Sequence, residues 1–352
     1  MNPTQIPTPH VIRNTDFRDV FPSLKTGKVP VVSGLWNESE TIILCGRSNS
    51  GKSPLIRQLV FCLANGLDFL GMKIPTRRHI ILFDYENPAR WIYDDFQALE
   101  TRFPDYNLEV PHDLEPYMYC GDKMDHYVAC AINLHSATLQ YRLDFIRARL
   151  QDWPESVIIF DPIDFIYSLD KNKSQEIIQF TAQVRSLLHD YPKASILETH
   201  NLRKRDTRAS ADSNLIYNPV GYMEEIAGSN DIGNRCDVRL GMERNPAKQD
   251  RYIFNGYQRS RGNLPHPFFL EAVRLENGTL AGFQHITHSI YGDLTPRELE
   301  IFDKLPETFH GGDWKKYCNS THMFYRLLSK AEDIGLIERR KSKGYRKLAK
   351  WY

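Results

Sequence analysis

The sequence predicts a three-layer α/β fold on a mainly parallel central sheet, with a small second unit at its C-terminal end. Three observations carry this. The chain has 352 residues, longer than one average domain. Short apolar runs alternate with stretches of helical periodicity, the signature of parallel βαβ units. Beyond residue 288 the pattern changes to short helices followed by a basic hairpin. The expected layout is an arm or linker over 1–35, an α/β domain over 36–288 and a small domain over 289–352.

Taken in order, the polar, Pro-rich stretch 1–35 lacks clear periodicity. Residues 41–45 form an apolar run expected as a buried strand, 52–64 a helix, 79–85 a strand and 90–102 a second helix. A possible strand at 115–120 precedes the amphipathic stretch 139–153, where Leu143, Ile146 and Leu150 fall at helical spacing. Then come an apolar strand at 157–161, a helix at 174–189 and a strand at 194–199. Residues 205–222 are polar and long for a connection, as functional or disordered loops are. Runs at 237–242, 252–257, 268–275 and 280–283, the last two joined by Asn277-Gly278, are expected to finish the sheet as hairpins.

Bulk properties narrow the class. Hydrophobic residues make up 41% and charged residues 25%, an ordinary globular composition. No apolar run approaches the roughly 18 residues that span a bilayer, and the N-terminus lacks a signal-peptide pattern, so a cytoplasmic address is expected, with no membrane partner. The six cysteines are scattered without a C-x-x-C pair, which argues against zinc and a disulfide framework. Net charge is +1, yet residues 294–352 hold thirteen Lys and Arg against eight Asp and Glu.

Gly46-Arg47-Ser48-Asn49-Ser50-Gly51-Lys52-Ser53 matches G-x-x-x-x-G-K-[ST] between a strand and a helix. There, backbone N–H groups and a helix N-terminus make a concave positive site for phosphates. Lys52 would add charge at the β- and γ-phosphates, and the Ser53 hydroxyl would ligate Mg²⁺. Asp161 ends the run Val157-Ile158-Ile159-Phe160, where a carboxylate holds the Mg²⁺ water shell; the bland alternative is a strand cap. Glu86, just past the strand at 79–85, can orient or deprotonate the attacking water, or be an exposed loop carboxylate. Thr199-His200-Asn201 ends another strand; His200 could sense the γ-phosphate and signal to the basic run Arg203-Lys204-Arg205, or simply close a loop.

These segments, with Ala227-Gly228-Ser229, Cys236-Asp237-Val238 and Arg259-Ser260-Arg261-Gly262, resemble in order the RecA-like ATPases of the RepA type, replicative helicases of plasmids and phages. The resemblance covers about residues 30–285. It implies a ring, usually a hexamer, with ATP between subunits and single-stranded DNA gripped by central loops. It also implies Glu86 as catalytic carboxylate, His200 as sensor, and Arg259 and Arg261 as fingers reaching a neighbour's nucleotide. Arg47-Ser48-Asn49 departs from that family's usual Pro and Gly, and Asn201 stands where a second His is common. Solvated strand ends are the alternative for the two arginines.

In the C-terminal unit, Thr295 and Pro296 start a helix, Trp314 to Cys318 suggest a second, and Asn319-Ser320-Thr321 cap a third. A strand, basic turn and strand follow. This looks like a winged helix, with Arg326, Arg339, Arg340, Lys341, Lys343 and Arg346 as phosphate contacts; protein docking is the alternative use. The sequence thus points to a DNA-dependent ATPase using ATP and Mg²⁺, acting on single-stranded or duplex DNA. Other readings are an ATP-switched DNA-binding regulator and, third, a small-molecule kinase.

Overall fold

A computed structural model describes residues 28–84, 86–106, 108–109, 118–121, 127–130, 139–163, 174–202, 215, 219–226, 234–244, 250–259, 262–263, 268–286, 294, 296–333, 336–340 and 344–347. Strands β1 (Pro30–Val32) and β2 (Trp36–Asn37) form a small antiparallel ribbon. Val31, Val32, Leu35 and Trp36 are buried in the main core, so the expected arm reaches the core before residue 35.

The central sheet contains β3 (Thr41–Gly46), β4 (Ile80–Asp84), β5 (Leu108–Glu109), β6 (Met118–Gly121), β7 (Tyr127–Cys130), β8 (Val157–Asp161) and β9 (Ser195–Asn201). Beyond these lie β10 (Val238–Arg244), β11 (Arg251–Gln258), β12 (Gly262–Asn263), β13 (Phe268–Arg274) and β14 (Leu280–Ile286). Their order is β14-β13-β11-β10-β3-β9-β8-β4-β7-β6-β5, with β12 on β11. From β10 to β7 every pair is parallel; both flanks are antiparallel. The expected strand at 115–120 is β6, one to three residues later, and β7 carries no expectation from sequence.

The layers follow from the two-residue period of a strand. Ile80 and Leu82 face one side of the sheet, with Ile42, Leu44, Val157, Ile159 and Leu197. They meet α1 (Lys52–Asn65) and α2 (Ala89–Arg102), the latter through Ile92, Phe96 and Leu99. Ile81, Phe83, Ile158, Phe160 and Ile196 face the other side, against α3 (Leu139–Asp152) and α4 (Ser174–Asp190). Leu143, Ile146 and Leu150 of α3 make that contact, as their spacing predicts. Each such side chain contributes about 1.5–3 kcal/mol on burial, so strands exposed to neither side can be apolar throughout.

Within the expected polar loop 205–222, Leu215 is buried, and α5 (Pro219–Glu224) adds Tyr222 and Met223 to an apolar cluster with Ile43 and Cys45. Cys45, Cys62, Cys236 and Cys318 are buried free thiols, and burial pushes Cys45 and Cys62 up to about 12.

The C-terminal residues form a cluster of their own around Phe302, Phe324, Leu327 and Leu336. α6 (Pro296–Lys304) leads to β15 (Thr308–Phe309), a 3-10 helix (Gly311–Lys316), α7 (Thr321–Asp333), β16 (Ile337–Arg340) and β17 (Gly344–Lys347). The strands lie in the order β15-β17-β16. The expected second helix is thus a 3-10 turn starting earlier, and β15 is too short for a sequence pattern to show. Ser320 Oγ accepts from the Met323 N–H (3.3 Å), the expected cap of the third helix.

Candidate nucleotide site

The site grows out of the C-terminal edge of the parallel strands. β3 ends in Gly46, where a Cβ would stand 2.4 Å from Ser50 Oγ and 2.7 Å from the Met242 carbonyl, so only glycine fits. The loop then turns back through left-handed Asn49 (φ 61°) and Gly51 (φ 88°), closed by the Ser50 N–H on the Arg47 carbonyl (3.1 Å). Gly51 opens α1, and Pro54 sits in its first turn, where no intrahelical N–H partner is needed. The Lys52 ammonium folds over the loop. It donates to the carbonyls of Gly46 (3.0 Å) and Arg47 (3.1 Å) and to Asn201 Oδ1 (3.0 Å). Arg47 turns instead to Glu225, 2.5 Å away.

Strand order decides which side chains meet this loop. β9 lies between β3 and β8, with Gly46 paired to Asn201 and Cys45 to His200. Thr199 and Asn201 therefore point to the α1 side and line the cleft between the loop and Asp161. Thr199 Oγ1 donates to Asp161 Oδ1 at 2.6 Å. Among the described residues, no hydrogen-bond donor meets the buried Asp161 Oδ2. Burial pushes the Asp161 carboxyl up and neighbouring Asp84 adds to it, while Thr199, Arg57 and Ser53 oppose the shift. A buried acceptor beside the Ser53 hydroxyl fits the water shell of a divalent cation, and Gly46 to Ser53 fit a phosphate cradle.

β4 ends level with β8, so Asp84 and Asp161 are cross-strand neighbours. Asp84 Oδ1 accepts from the Asn87 N–H (3.0 Å) and Nδ2 (2.8 Å), while Oδ2 pairs with Arg57 of α1 (2.9 Å). Arg57 also pairs with Asp95 of α2. Exposed Glu86 lies inside this Asp84–Asn87 turn and, with Trp91, lines the cleft. The cleft holds about 540 Å³, within the range of ligand sites, and reaches Tyr252 and Leu280 on its far side.

The sequence-derived candidates divide. Ser48 to Ser53, Asp161 and Glu86 line one cleft. His200 does not: it is buried on the opposite face of β9, its Nδ1 2.8 Å from the Asn201 carbonyl, and it is Asn201 that lines the cleft. Arg259 is exposed but lies at the other edge of the sheet. Its N–H donates to the Asp237 carbonyl (2.8 Å), level with Thr41 at the start of β3. About 17 Å of strand separates that level from Gly46, so Arg259 does not share the edge of its own P-loop. Arg203, Lys204, Arg205, Arg261, Lys341 and Lys343 lie outside the described residues. Arg57, Asp84 and Thr199 escaped the sequence reading, although the runs Ile80-Ile81-Leu82-Phe83-Asp84 and Val157-Ile158-Ile159-Phe160-Asp161 share one pattern.

In the C-terminal unit Arg339 is exposed, and Arg340 and Arg346 are half-buried. Arg326 is committed differently from its expected phosphate role. Its Nε pairs with Glu298 (3.0 Å), a fully buried carboxylate that also binds Lys330 (2.9 Å).

A mostly parallel sheet with a glycine-rich phosphate loop at its C-terminal edge, backed by a buried strand-end carboxylate, defines a P-loop nucleotide-binding protein. The sequence matches the AAA domain family over residues 7–206, more than half of its length. The chain belongs to that family, and its α/β domain is an ATPase domain of the P-loop type. No curated protein matches it. Among the described residues no helix is long and apolar enough to cross a membrane.

Proposed function

We propose that this protein is a Mg²⁺-dependent, DNA-stimulated ATPase that works as a ring-forming motor of the replicative-helicase kind. The observation that carries the reading is the separation of Arg259 from its own P-loop by the length of β3. That separation supports a role for this cation at a neighbouring copy's nucleotide, which would make hydrolysis depend on assembly.

Bound Mg²⁺·ATP supplies the phosphoryl group and neutralises part of its charge. The chain's own residues do the rest. The N–H groups from Arg47 to Ser53 and the Lys52 ammonium would hold the phosphates, and Ser53 and Asp161 would hold the cation and its water. Glu86 orients the attacking water, and Asn201, in contact with Lys52, replaces His200 as the sensor. Arg259 and Arg261 cover the neighbour's phosphates.

The C-terminal unit supports DNA as the partner. Two helices with a short 3-10 helix between them, backed by strands in the order β15-β17-β16, support reading this unit as a winged helix. The antiparallel pair β16–β17 is its wing. Arg339, Arg340, Lys341, Lys343 and Arg346 supply cations for phosphates, and Arg203, Lys204 and Arg205 supply more beyond β9. The test is ATP turnover at fixed, low salt with and without single-stranded DNA, together with unwinding of a forked duplex. Stimulation of at least about tenfold, declining as salt rises, is expected. Turnover indifferent to DNA, with no strand separation, overturns the motor and leaves an ATP-switched DNA-binding regulator.

A further inference from the structure

We propose that Arg57 is the positioning residue for Glu86, acting through Asp84. The inference rests on the ATPase reading above and deepens it.

Arg57 lies four residues after Ser53 in α1, hence on the same helix face, and is almost fully buried. An arginine in such a place needs compensation, and its partners are Asp84 from β4 and Asp95 from α2. It therefore ties together the P-loop helix, the strand before the Glu86 turn and the helix after it. Asp84 spends its other oxygen on the backbone and side chain of Asn87. Glu86 is thus held between an Asp84 fixed by Arg57 and an Asn87 fixed by Asp84. Among the described residues, Arg57 is the α1 side chain that pairs with Asp84.

The same cation neutralises one of two adjacent buried carboxylates. Asp84 and Asp161 are cross-strand neighbours, and both are buried. With Arg57 on Asp84, Asp161 keeps its cation-facing role while Asp84 serves the turn. A buried ion pair of this kind is weak as a stability device, since packed apolar side chains do as well. Its placement in the cleft wall, one helical turn from Ser53, is what gives it a part in the chemistry.

The experiment compares wild type, Arg57→Met, Arg57→Lys, Asp84→Asn and Glu86→Gln, and Arg57→Met combined with Glu86→Gln, all in the full chain. Single-turnover ATP hydrolysis and ATP affinity with Mg²⁺ are measured for each. The inference expects Arg57→Met and Asp84→Asn to lower the hydrolysis rate by about 100-fold, with ATP affinity changed less than about threefold. Arg57→Lys recovers part of the rate, and the double variant is no slower than Glu86→Gln alone, because both act at one step. If Arg57→Met fails to fold, Arg57→Lys and Asp84→Asn carry the comparison. Rate and affinity falling together, or defects that multiply in the double variant, overturn the inference and leave the ATPase reading intact. A Glu86→Gln variant with an unchanged rate overturns the role of Glu86 in that reading, and no turnover by wild type overturns both.

Discussion

Asn201 and His200 are neighbours in sequence and strangers in the structure, and the difference is one step of the strand pleat. Asn201 Oδ1 accepts from the Lys52 ammonium, while His200 is fully buried on the opposite face. Lys52 is also held by two loop carbonyls, so Asn201 is its side-chain link to β9. A side chain there can respond when a phosphate draws Lys52 away. Asn201→Ala should therefore reduce single-turnover hydrolysis by about 100-fold, the usual cost of one preorganised polar group at a reacting centre. His200→Gln should change it less than about threefold. Rapid-quench measurement of both variants decides the matter, and a larger loss for His200→Gln would restore the histidine as sensor.

The strand β9 shows how much one element can carry. One face offers Leu197 to the core, Thr199 to Asp161 and Asn201 to Lys52; the other buries Ile196, Glu198 and His200. Burial pushes the Glu198 carboxyl up to about 7 from an ordinary 4.5. Below the unfolded value both states hold the proton. As pH rises from 4.5 to 7 the unfolded chain ionises first, so the native state loses stability across that window and does not regain it above. The loss is on the order of 3 kcal/mol. Glu198→Gln should raise the thermal midpoint by about 5 °C or more at pH 8 and by much less at pH 5. Calorimetry at the two pH values reads this, and a gap of equal size at both would refute it. Helices α6 and α7 make a parallel case. Replacing both Arg326 and Lys330 by Ala takes two cations from the buried Glu298 charge at a cost of about 3–5 kcal/mol, whereas Arg339→Ala should leave stability alone and reduce the salt slope of DNA binding by about 1. Melting curves and salt titrations of the variants separate the two roles. Local pattern reveals β3, β4, β8 and β9 because each is an uninterrupted apolar run, and it reveals the P-loop because its glycines answer local backbone demands. It does not reveal that β9 enters between β3 and β8, since that pairing joins residues more than a hundred and fifty positions apart. Nor does it say which of residues 200 and 201 faces the cleft, because a one-residue change of register would exchange them. β15, with two residues, has no period to read.

At the scale of the molecule, the antiparallel turn of β11 against β10 matters most. β10 runs parallel to β3 and ends beside Gly46, so β11 carries the chain back and delivers Arg259 to the edge where β3 begins. Had β11 been parallel, Arg259 would stand beside its own P-loop. Under the proposed reading, the P-loop and the arginine belong to two different sites, which a ring or another closed assembly would unite. Lys52→Ala chains should bind no nucleotide productively yet still present Arg259; Arg259→Ala chains should bind nucleotide yet lack the cation for their neighbours. Each alone should be inactive. Mixed in equal amounts and allowed to exchange subunits, they should recover turnover, because about a quarter of random interfaces place an intact P-loop against an intact Arg259. An ATPase assay on the mixture, with each variant alone as control, tests this. Recovery near that fraction requires an arginine acting across the interface, whereas an Arg259→Ala chain that is fully active alone, or a mixture as inactive as its parts, excludes it.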